Sequence, residues 1–314
     1  MLTVTRGLSN ARPRPYPVAT IGNFDGHHLG HRALLDTVVR AARHAGGTAV
    51  VLTFDPHPVR ILAPQVDLRF LTSPEEKLAH FEAAGVDEVV FLEFTSALAG
   101  MAPEEFARMV LHERLGVAEV YVGGHFRFGK GRSGRIADLQ RLGAQYGFAV
   151  HPVPPVMLDG AVVSSTRIRQ SILAGEMDRA AALLGRAYAI SGQVIRGEQR
   201  GQSLGWPTAN LPIPAQRVIP PDGVYAARAG TEGALHDAVA YIGTRPTFGA
   251  GERLIEVNMF DQSAVLYGQT MTVEFVERLR GDLVFASAEE LSAQIARDVG
   301  RAKALLREPS QGVP

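Results

Sequence analysis

Two histidines three positions apart follow a glycine-rich segment near the start of the chain. His28 and His31 lie two and five residues after the segment Gly22–Gly26, and a short strand-like run, Val18–Ile21, precedes that segment. Residues three apart lie on one face of a helix's first turn, so both imidazoles can point at one phosphate group, and Gly30 leaves room for it. A helix start also offers unpaired N–H groups to an anion. The pattern predicts a phosphate-binding turn. A plain strand-to-helix turn is the alternative, and a metal site is disfavoured because no acidic or third histidine ligand has matching spacing.

A second candidate phosphate-binding segment, Ser164–Arg169, precedes a short predicted helix. The hydroxyls of Ser165 and Thr166 can cap that helix or bind phosphate oxygens, and Arg169 can clamp a triphosphate. Capping alone would explain the hydroxyls, so the segment by itself leaves both functions open. Paired with the histidine turn, it is typical of the second side of a nucleotide-binding site.

The second half of the chain carries a different set of candidate ligands. A glycine-punctuated segment with Gly197, Arg200 and Gly201 could cover phosphates. Thr208 and Asn210 place a hydroxyl and an amide oxygen two residues apart, so on an extended segment both face one side. Such hard oxygen ligands suit Mg²⁺, which completes its shell with ATP phosphates, whereas a simple turn is the ordinary alternative.

Strand and helix patterns alternate around the histidine turn. The strand patterns cover residues 18–21, 49–54, 89–94, 120–122 and 148–150, and the helix patterns cover residues 31–44, 74–84, 103–115 and 136–146. Strands that alternate with helices of this length predict right-handed crossovers and a parallel sheet. Ligands of such sheets bind at the C-terminal ends of the strands.

Past residue 185 the pattern changes to consecutive β-type runs. These runs cover residues 189–195, 224–228, 238–242, 254–260 and 270–276. Because no helix-length pattern separates them, an antiparallel barrel or sandwich is predicted, with a final amphipathic helix at residues 288–306 packed across it. The predicted domains are residues 1–185 and residues 186–314.

Composition narrows the classes of function. A chain of 314 residues has room for two cores, and its 32 Lys and Arg balance its 32 Asp and Glu. This balance gives no electrostatic argument for nucleic acid or an anionic membrane surface as the main partner. The absence of cysteine excludes disulfides and thiolate nucleophiles. The N-terminal segment lacks an apolar signal region and no apolar run reaches the ~18 residues of a membrane span, so a cytoplasmic protein is expected.

The motifs resemble those of HxGH-type nucleotidyltransferases, and most closely the FMN adenylyltransferase module of bacterial bifunctional FAD synthetases. Besides the two phosphate-binding segments, residues 53–58, 71–73 and 126–129 look like that module. Residues 207–210 and 243–249 look like the riboflavin kinase module of the same family. The resemblance covers essentially the whole chain.

This resemblance implies an α/β fold: an N-terminal Rossmann-like, parallel-sheet nucleotidyltransferase domain, then a C-terminal antiparallel β-barrel riboflavin kinase domain with a terminal helix. The implied function is bifunctional. The chain would phosphorylate riboflavin to FMN with ATP and adenylylate FMN to FAD with release of pyrophosphate. Its partners would be these small molecules together with Mg²⁺, and the oligomeric state is left open.

The resemblance also assigns roles to residues of the adenylyltransferase domain. The predicted nucleotide-binding residues are Gly22, Asn23, Phe24, Asp25, Gly26, His28, His31, Ser165, Thr166 and Arg169. His28 and His31 would contact the ATP phosphates and act as catalytic residues. Because the attacking phosphate of FMN is already ionised at neutral pH, positioning and charge stabilisation suffice and no general base is needed. His57, His125 and Arg127 are predicted to contact the flavin or the nucleotide.

Kinase chemistry differs in one respect. The riboflavin 5′-hydroxyl is a neutral alcohol, so a carboxylate that accepts its proton is useful, and the resemblance assigns this role to Glu256. Thr208 and Asn210 would bind Mg²⁺, and the segment with Gly197, Arg200 and Gly201 would cover the phosphates.

Two segments depart from the usual family pattern. Gly124 and His125 stand where an acidic or amide pair is common, and residues 281–284 lack the basic residue often found before Phe285. Three alternatives remain: an enzyme with only one active module, a nucleotidyltransferase for another small phosphate ester, and a flavin-binding regulator without turnover. Retention of both histidines and of Glu256 argues against the regulator, since a binder needs no proton acceptor.

The two activities are predicted to separate by mutation, because the two sets of residues do not overlap. Glu256→Ala removes the proton acceptor and should slow FMN formation from riboflavin roughly 100- to 10,000-fold, while FAD formation from supplied FMN stays intact. His28→Ala should have the reverse effect. Rates of both reactions, measured on each folded variant, check this; loss of both activities in either variant would rule out two separate sites.

Overall fold

The computed structural model of the chain describes residues 1–196, 205–231, 233–244, 253–260 and 266–307. By its internal contacts the chain divides into two compact units, Met1–Ser164 and Ser165–Pro314. None of the helices within the described residues is both long and apolar enough to cross a membrane.

The first unit is built on a six-stranded parallel sheet. Its strands are β1 (Thr3–Arg6), β2 (Pro17–Ile21), β3 (Thr48–Asp55), β4 (Glu88–Glu93), β5 (Glu119–Gly123) and β6 (Ala149–Val153), in the order β1-β4-β3-β2-β5-β6. A small antiparallel pair, β7 (Met157–Leu158) and β8 (Ala161–Val162), follows. Every residue of β2 is buried, which is why its sequence does not alternate between apolar and charged residues. The strand order reverses between β2 and β5.

Helices connect these strands. They are α1 (Leu29–His44), α2 (Pro58–Leu62), α3 (Pro74–Ala83), α4 (Ser96–Gly100), α5 (Pro103–Phe106) and α6 (Ile136–Tyr146), with short 3₁₀ turns at Leu8–Asn10 and Lys130–Arg132. α1 buries Leu34, Leu35, Val38 and Ala42, a stripe at helical spacing that packs on the sheet. The helix predicted over residues 103–115 is present, but from Ala107–Arg114 its hydrogen bonding is of the π type.

The second unit combines two helices, an antiparallel sheet and a terminal helix. Its elements are α7 (Ser165–Ala174), α8 (Met177–Leu184), β9 (Tyr188–Gln193), β10 (Ala209–Pro212), β11 (Gly223–Thr231), β12 (His236–Thr244), β13 (Arg253–Met259), β14 (Thr270–Arg280) and α9 (Ala288–Arg307). The strand order is β10-β13-β12-β11-β14-β9, and a bridge in which the Ile195 N–H donates to the Asn210 carbonyl at 2.9 Å joins the two edges. Closing a sheet in this way removes its exposed edges and makes a barrel.

The two faces of this sheet bury different side chains. Tyr225 and Phe275 are fully buried and pack edge to face at 5.4 Å, on the face opposite to α9. Val299, Ala302 and Leu306 of α9 pack with residues of β11, β12 and β14 on the other face. The amphipathic pattern predicted for residues 288–306 thus serves to cover one side of the barrel.

Helix α8 packs on the barrel and is part of the same unit. It packs against β9 and β14 and buries Met177, Ala180, Leu183 and Leu184. The two units therefore divide before α7, whereas the sequence predicts a domain boundary after residue 185. That boundary stays a prediction.

Two fragments of the chain would test the boundary. Residues 186–314 should fold and phosphorylate riboflavin alone, and residues 165–314 should unfold at a higher temperature, because each buried Leu or Met side chain of α8 contributes about 1.5–3 kcal/mol. Thermal unfolding and kinase assays of both fragments are the measurement. Equal unfolding temperatures would show that α8 adds no stability, and an insoluble shorter fragment would place the boundary before α7.

Candidate active sites

A buried carboxylate fixes the turn between β2 and α1. Asp25 is 3% exposed and accepts hydrogen bonds from the Leu71 N–H at 3.0 Å, from the Thr72 N–H at 3.2 Å and from the Thr72 hydroxyl at 3.2 Å. The Gly26 N–H donates to the Thr72 hydroxyl oxygen at 3.2 Å. Ser73, the next residue, caps α3. These bonds therefore hold the start of α3 against the turn.

The turn itself uses the left-handed backbone region at three positions. Gly26 has φ +86°, and a side chain there would place its Cβ 2.7 Å from Leu71. Phe24 and His27 have φ of 51° and 43°, values that cost non-glycine residues free energy and persist only where surrounding contacts fix them. Packing against α3 supplies those contacts. Phe24 meets Phe81 edge to face at 5.4 Å, and His27 stacks on His80 at 4.8 Å.

His28 ends the turn as the N-cap of α1. Its Nδ1 accepts a hydrogen bond from the His31 N–H at 3.2 Å, so a neutral His28 carries its proton on Nε2. The two imidazole rings stack with centroids 3.6 Å apart and planes 16° apart. A Cβ at Gly30 would lie 3.2 Å from the His28 ring, which explains the glycine between the two histidines.

His31 is held in its neutral form. Burial lowers its pKa well below the ordinary value, and nearby His28, His27 and Lys77 lower it further. Its Nδ1 is enclosed and has no hydrogen-bond partner among the described residues. A neutral imidazole donates or accepts single hydrogen bonds, so at neutral pH this ring can bond to a ligand without adding charge to the site.

A cavity of about 250 Å³ opens beside this histidine pair. His28 and His31 line it together with residues 123–126 at the end of β5 and residues 153–156 at the end of β6. The cavity thus lies where the strand order reverses, which is the usual ligand-binding position in an open parallel sheet. Its wall is mostly apolar, and its polar side chains are the histidines, a composition that is usual for a small-ligand site.

The structure brings some of the predicted residues to this cavity and leaves others outside it. Gly22, Phe24 and His125 line it together with the two histidines. Asn23 lies in the same turn, and its Oδ1 is buried without a hydrogen-bond partner among the described residues.

His57 and Arg127 do not line this cavity. His57 caps α2 by accepting the Val59 N–H at 3.2 Å, and Arg127 is exposed and donates to the Phe126 carbonyl. Ser165, Thr166 and Arg169 open α7, which is counted with the second unit. That these five residues act on the ligands of the histidine turn stays a prediction.

In the second unit, strand register places the predicted kinase residues side by side. Asn210 of β10 is paired with Glu256 of β13, and Glu256 is paired with Tyr241 of β12. Directly paired residues point to the same face, here the face that α9 covers. Asn210 is 4% exposed, and its Oδ1 has no hydrogen-bond partner among the described residues. Thr208 stands two residues before it, on the segment that leads into β10.

Tyr241 and Asn258 flank Glu256 and were not predicted as site residues. Burial, together with Asp282 and Glu256, raises the pKa of Tyr241 to about 12, so its hydroxyl stays protonated and donates to Asp282 at 3.3 Å. Asn258 donates to the Pro207 carbonyl at 2.8 Å, which ties β13 to the segment that carries Thr208. The predicted phosphate-covering residues Gly197, Arg200 and Gly201 lie outside the described residues.

Both halves of the chain match known families. Residues 12–167 match the family model of FAD synthetase, and residues 184–306 match that of riboflavin kinase. The chain is 38% identical to the bifunctional riboflavin kinase/FMN adenylyltransferase of Escherichia coli (strain K12), over 95% of this chain and 96% of the relative. It is 39% identical to the protein of that name from Pseudomonas fluorescens, over 97% and 98% of the two chains.

A solved structure shares the fold over nearly its whole length. It is the crystal structure of a protein from Streptococcus pneumoniae that is named a macrolide-efflux protein, and it matches with a TM-score of 0.87 and 30% identity over 98% of this chain and 99% of that one. Macrolide efflux is the activity that this name gives to the streptococcal protein alone. Both family models and the curated relatives agree with each other on flavin chemistry instead.

A parallel-sheet nucleotidyltransferase followed by an antiparallel barrel of the riboflavin kinase type is therefore the architecture of this chain, as the sequence predicts. The chain belongs to the family of bifunctional riboflavin kinase/FMN adenylyltransferases.

The neutral state of His31 predicts a loss of stability in acid. The unfolded chain binds a proton at His31 near the ordinary pKa of 6.5 and the folded chain does not, so this contribution to stability is present above about pH 6.5 and is lost as the pH falls from there. Unfolding temperatures of the wild type and of His31→Gln, measured between about pH 5 and 8, should converge or cross on the acid side. Curves that stay parallel throughout would mean that His31 titrates normally in the fold.

Proposed function

We propose that this chain phosphorylates riboflavin to FMN beside Glu256 and adenylylates FMN to FAD at the turn that carries His28 and His31. The family supports the two reactions. The observation that carries the assignment of the second reaction is the stacked histidine pair at the start of α1, in which His31 is neutral, beside a cavity at the reversal of strand order. Its small-molecule partners are riboflavin, FMN and ATP. Because ATP is a co-substrate, we place the enzyme in the cytoplasm.

In the adenylyl transfer, a phosphate oxygen of FMN forms a bond to the α-phosphorus of ATP. The bond from that phosphorus to the bridging oxygen of the β-phosphate breaks, and pyrophosphate leaves. No proton has to be removed from the attacking oxygen. The Nε2–H group of neutral His28 and the first N–H groups of α1 donate hydrogen bonds to the phosphates. These fixed dipoles stabilise the negative charge that develops on the departing pyrophosphate.

In the phosphoryl transfer, the 5′-oxygen of riboflavin forms a bond to the γ-phosphorus of ATP and ADP leaves. Glu256 accepts the hydroxyl proton. The half-buried position of Glu256, in one row with Asn210 and Tyr241, supports this role, because it places a carboxylate beside an amide oxygen and a hydroxyl that stays protonated.

The residues present fit a magnesium ion at this site. The amide oxygen of Asn210 is buried without a hydrogen-bond partner among the described residues, and Thr208 adds a hydroxyl two positions away. Within the described part of the chain no group of three or more His, Asp or Glu side chains could hold a metal. Mg²⁺ needs few protein ligands when ATP supplies phosphate oxygens, so a threonine and an asparagine are a fitting set. When bound, the ion neutralises charge on those phosphates.

Replacing Thr208 by valine tests the metal ligand. Valine keeps the shape of threonine and removes the oxygen, so the KM for Mg-ATP in riboflavin phosphorylation should rise roughly tenfold or more. FAD formation from supplied FMN on the same protein is the internal control and should not change. If Thr208→Val phosphorylated riboflavin with the kinetic constants of the wild type at the same Mg²⁺ concentration, Thr208 would not be a ligand of the metal.

The proposed function as a whole is tested with the purified protein, riboflavin and Mg-ATP. Chromatography of the products should show FMN first and then FAD. FMN alone, or FAD only from supplied FMN, would identify a chain with one active module. No product from either flavin would support a binding protein without turnover.

A further inference from the structure

A lysine lies on the face of α3 that packs against the histidine turn. Lys77 stands three and four residues before His80 and Phe81, so the three side chains share one face of the helix. His80 stacks on His27, and Phe81 packs edge-on against Phe24. The lysine therefore points to the same turn as its two neighbours.

The charges that act on Lys77 agree with this placement. Asp25 and Asp55 both stabilise its charge, and Lys77 in turn disfavours the charged form of His31. Asp55 is the last residue of β3, and His31 lies in the first turn of α1. These effects agree with a lysine side chain that faces the histidine turn, as its spacing from His80 and Phe81 indicates.

Lys77 forms no salt bridge with the described residues, although Asp25 and Asp55 act on its charge from farther away. Among the described residues no carboxylate lies within 4.0 Å of Lys77. The oxygens of Asp25 accept hydrogen bonds from Leu71 and Thr72, and Asp55 pairs with Arg6 at 3.2 Å. Lys77 is half-buried, and its burial lowers its pKa. A partly desolvated cation without a close carboxylate is stabilised by any anion that binds beside it.

We propose that Lys77 is a further phosphate-binding residue of the adenylyltransferase site. Its ammonium group donates to phosphate oxygens held at the histidine turn and supplies the positive charge that the neutral His31 does not. This inference rests on the proposed function. ATP, FMN and the departing pyrophosphate share the phosphate chemistry, and their separate kinetic constants distinguish them.

Kinetics of FAD formation from supplied FMN test the role of Lys77. Lys77→Met should lower kcat/KM by about 10- to 100-fold, the size expected for one charge-assisted hydrogen bond, and Lys77→Arg should recover part of it. A raised KM for ATP assigns the contact to ATP, a raised KM for FMN assigns it to FMN, and a lowered kcat alone assigns it to the departing pyrophosphate. Lys130→Met removes an exposed lysine of the same unit and is the matched control.

FMN formation from riboflavin on the same molecules, together with the unfolding temperature, reports whether each variant is folded. Wild-type kcat/KM in folded Lys77→Met would overturn the proposal. A wild-type protein that forms no FAD would instead contradict the proposed function, so the two failures are distinguishable.

A labelling experiment on the unaltered protein covers the case in which Lys77→Met does not fold. The chain has three lysines, Lys77, Lys130 and Lys303, so trace acetylation with acetic anhydride can be followed at each by mass spectrometry. Pyrophosphate or Mg-ATP should protect Lys77 at least several-fold and leave the other two unchanged. Equal acetylation of Lys77 with and without these anions would overturn the proposal.

Discussion

The carboxylate of Asp25 is buried and accepts hydrogen bonds from two backbone N–H groups and a hydroxyl of the segment that precedes α3. Each of these donors would cost about 1–3 kcal/mol if left buried without a partner, so the turn and α3 are fixed to each other. Because α3 is fixed, Phe81 and His80 can hold Phe24 and His27 in left-handed backbone conformations. That backbone in turn sets where α1 begins, and therefore where the histidine pair lies.

The second unit places its site by a different physical device. Asn210, Glu256 and Tyr241 come from three strands, and the antiparallel register alone brings them into one row on one face. The bridge between Ile195 and Asn210 closes the barrel at the strand that carries the proposed metal ligands. A one-residue slip of register would move these side chains to the opposite face. On the proposed assignment, one chain holds two phosphate chemistries, one on a turn fixed by a buried carboxylate and one on a closed sheet.

Local patterns predicted most of the elements and the position of the histidine turn. The helix predicted over residues 136–146 has those bounds, and the spacing of the histidines indicated their shared position at the start of α1. β1 was missed because its short, mostly exposed sequence carries no apolar run. The contacts of Asp25 with Leu71 and Thr72 span 46 residues or more, and Lys77 reaches the turn only through that packing, so no local pattern indicates either. The pairing of Asn210 with Glu256 likewise depends on strand register. Only the resemblance to a family indicated that these two residues belong to one site.

Replacing Asp25 by alanine tests most directly whether one buried carboxylate sets the geometry of the adenylyltransferase site. Both activities should be measured on the same preparation of the variant. FAD formation from supplied FMN should fall by roughly 100-fold or more, because a misplaced catalytic geometry costs about that much, while FMN formation from riboflavin should stay near the wild-type rate. FAD formation at the wild-type rate in a folded Asp25→Ala protein would contradict this account of the site.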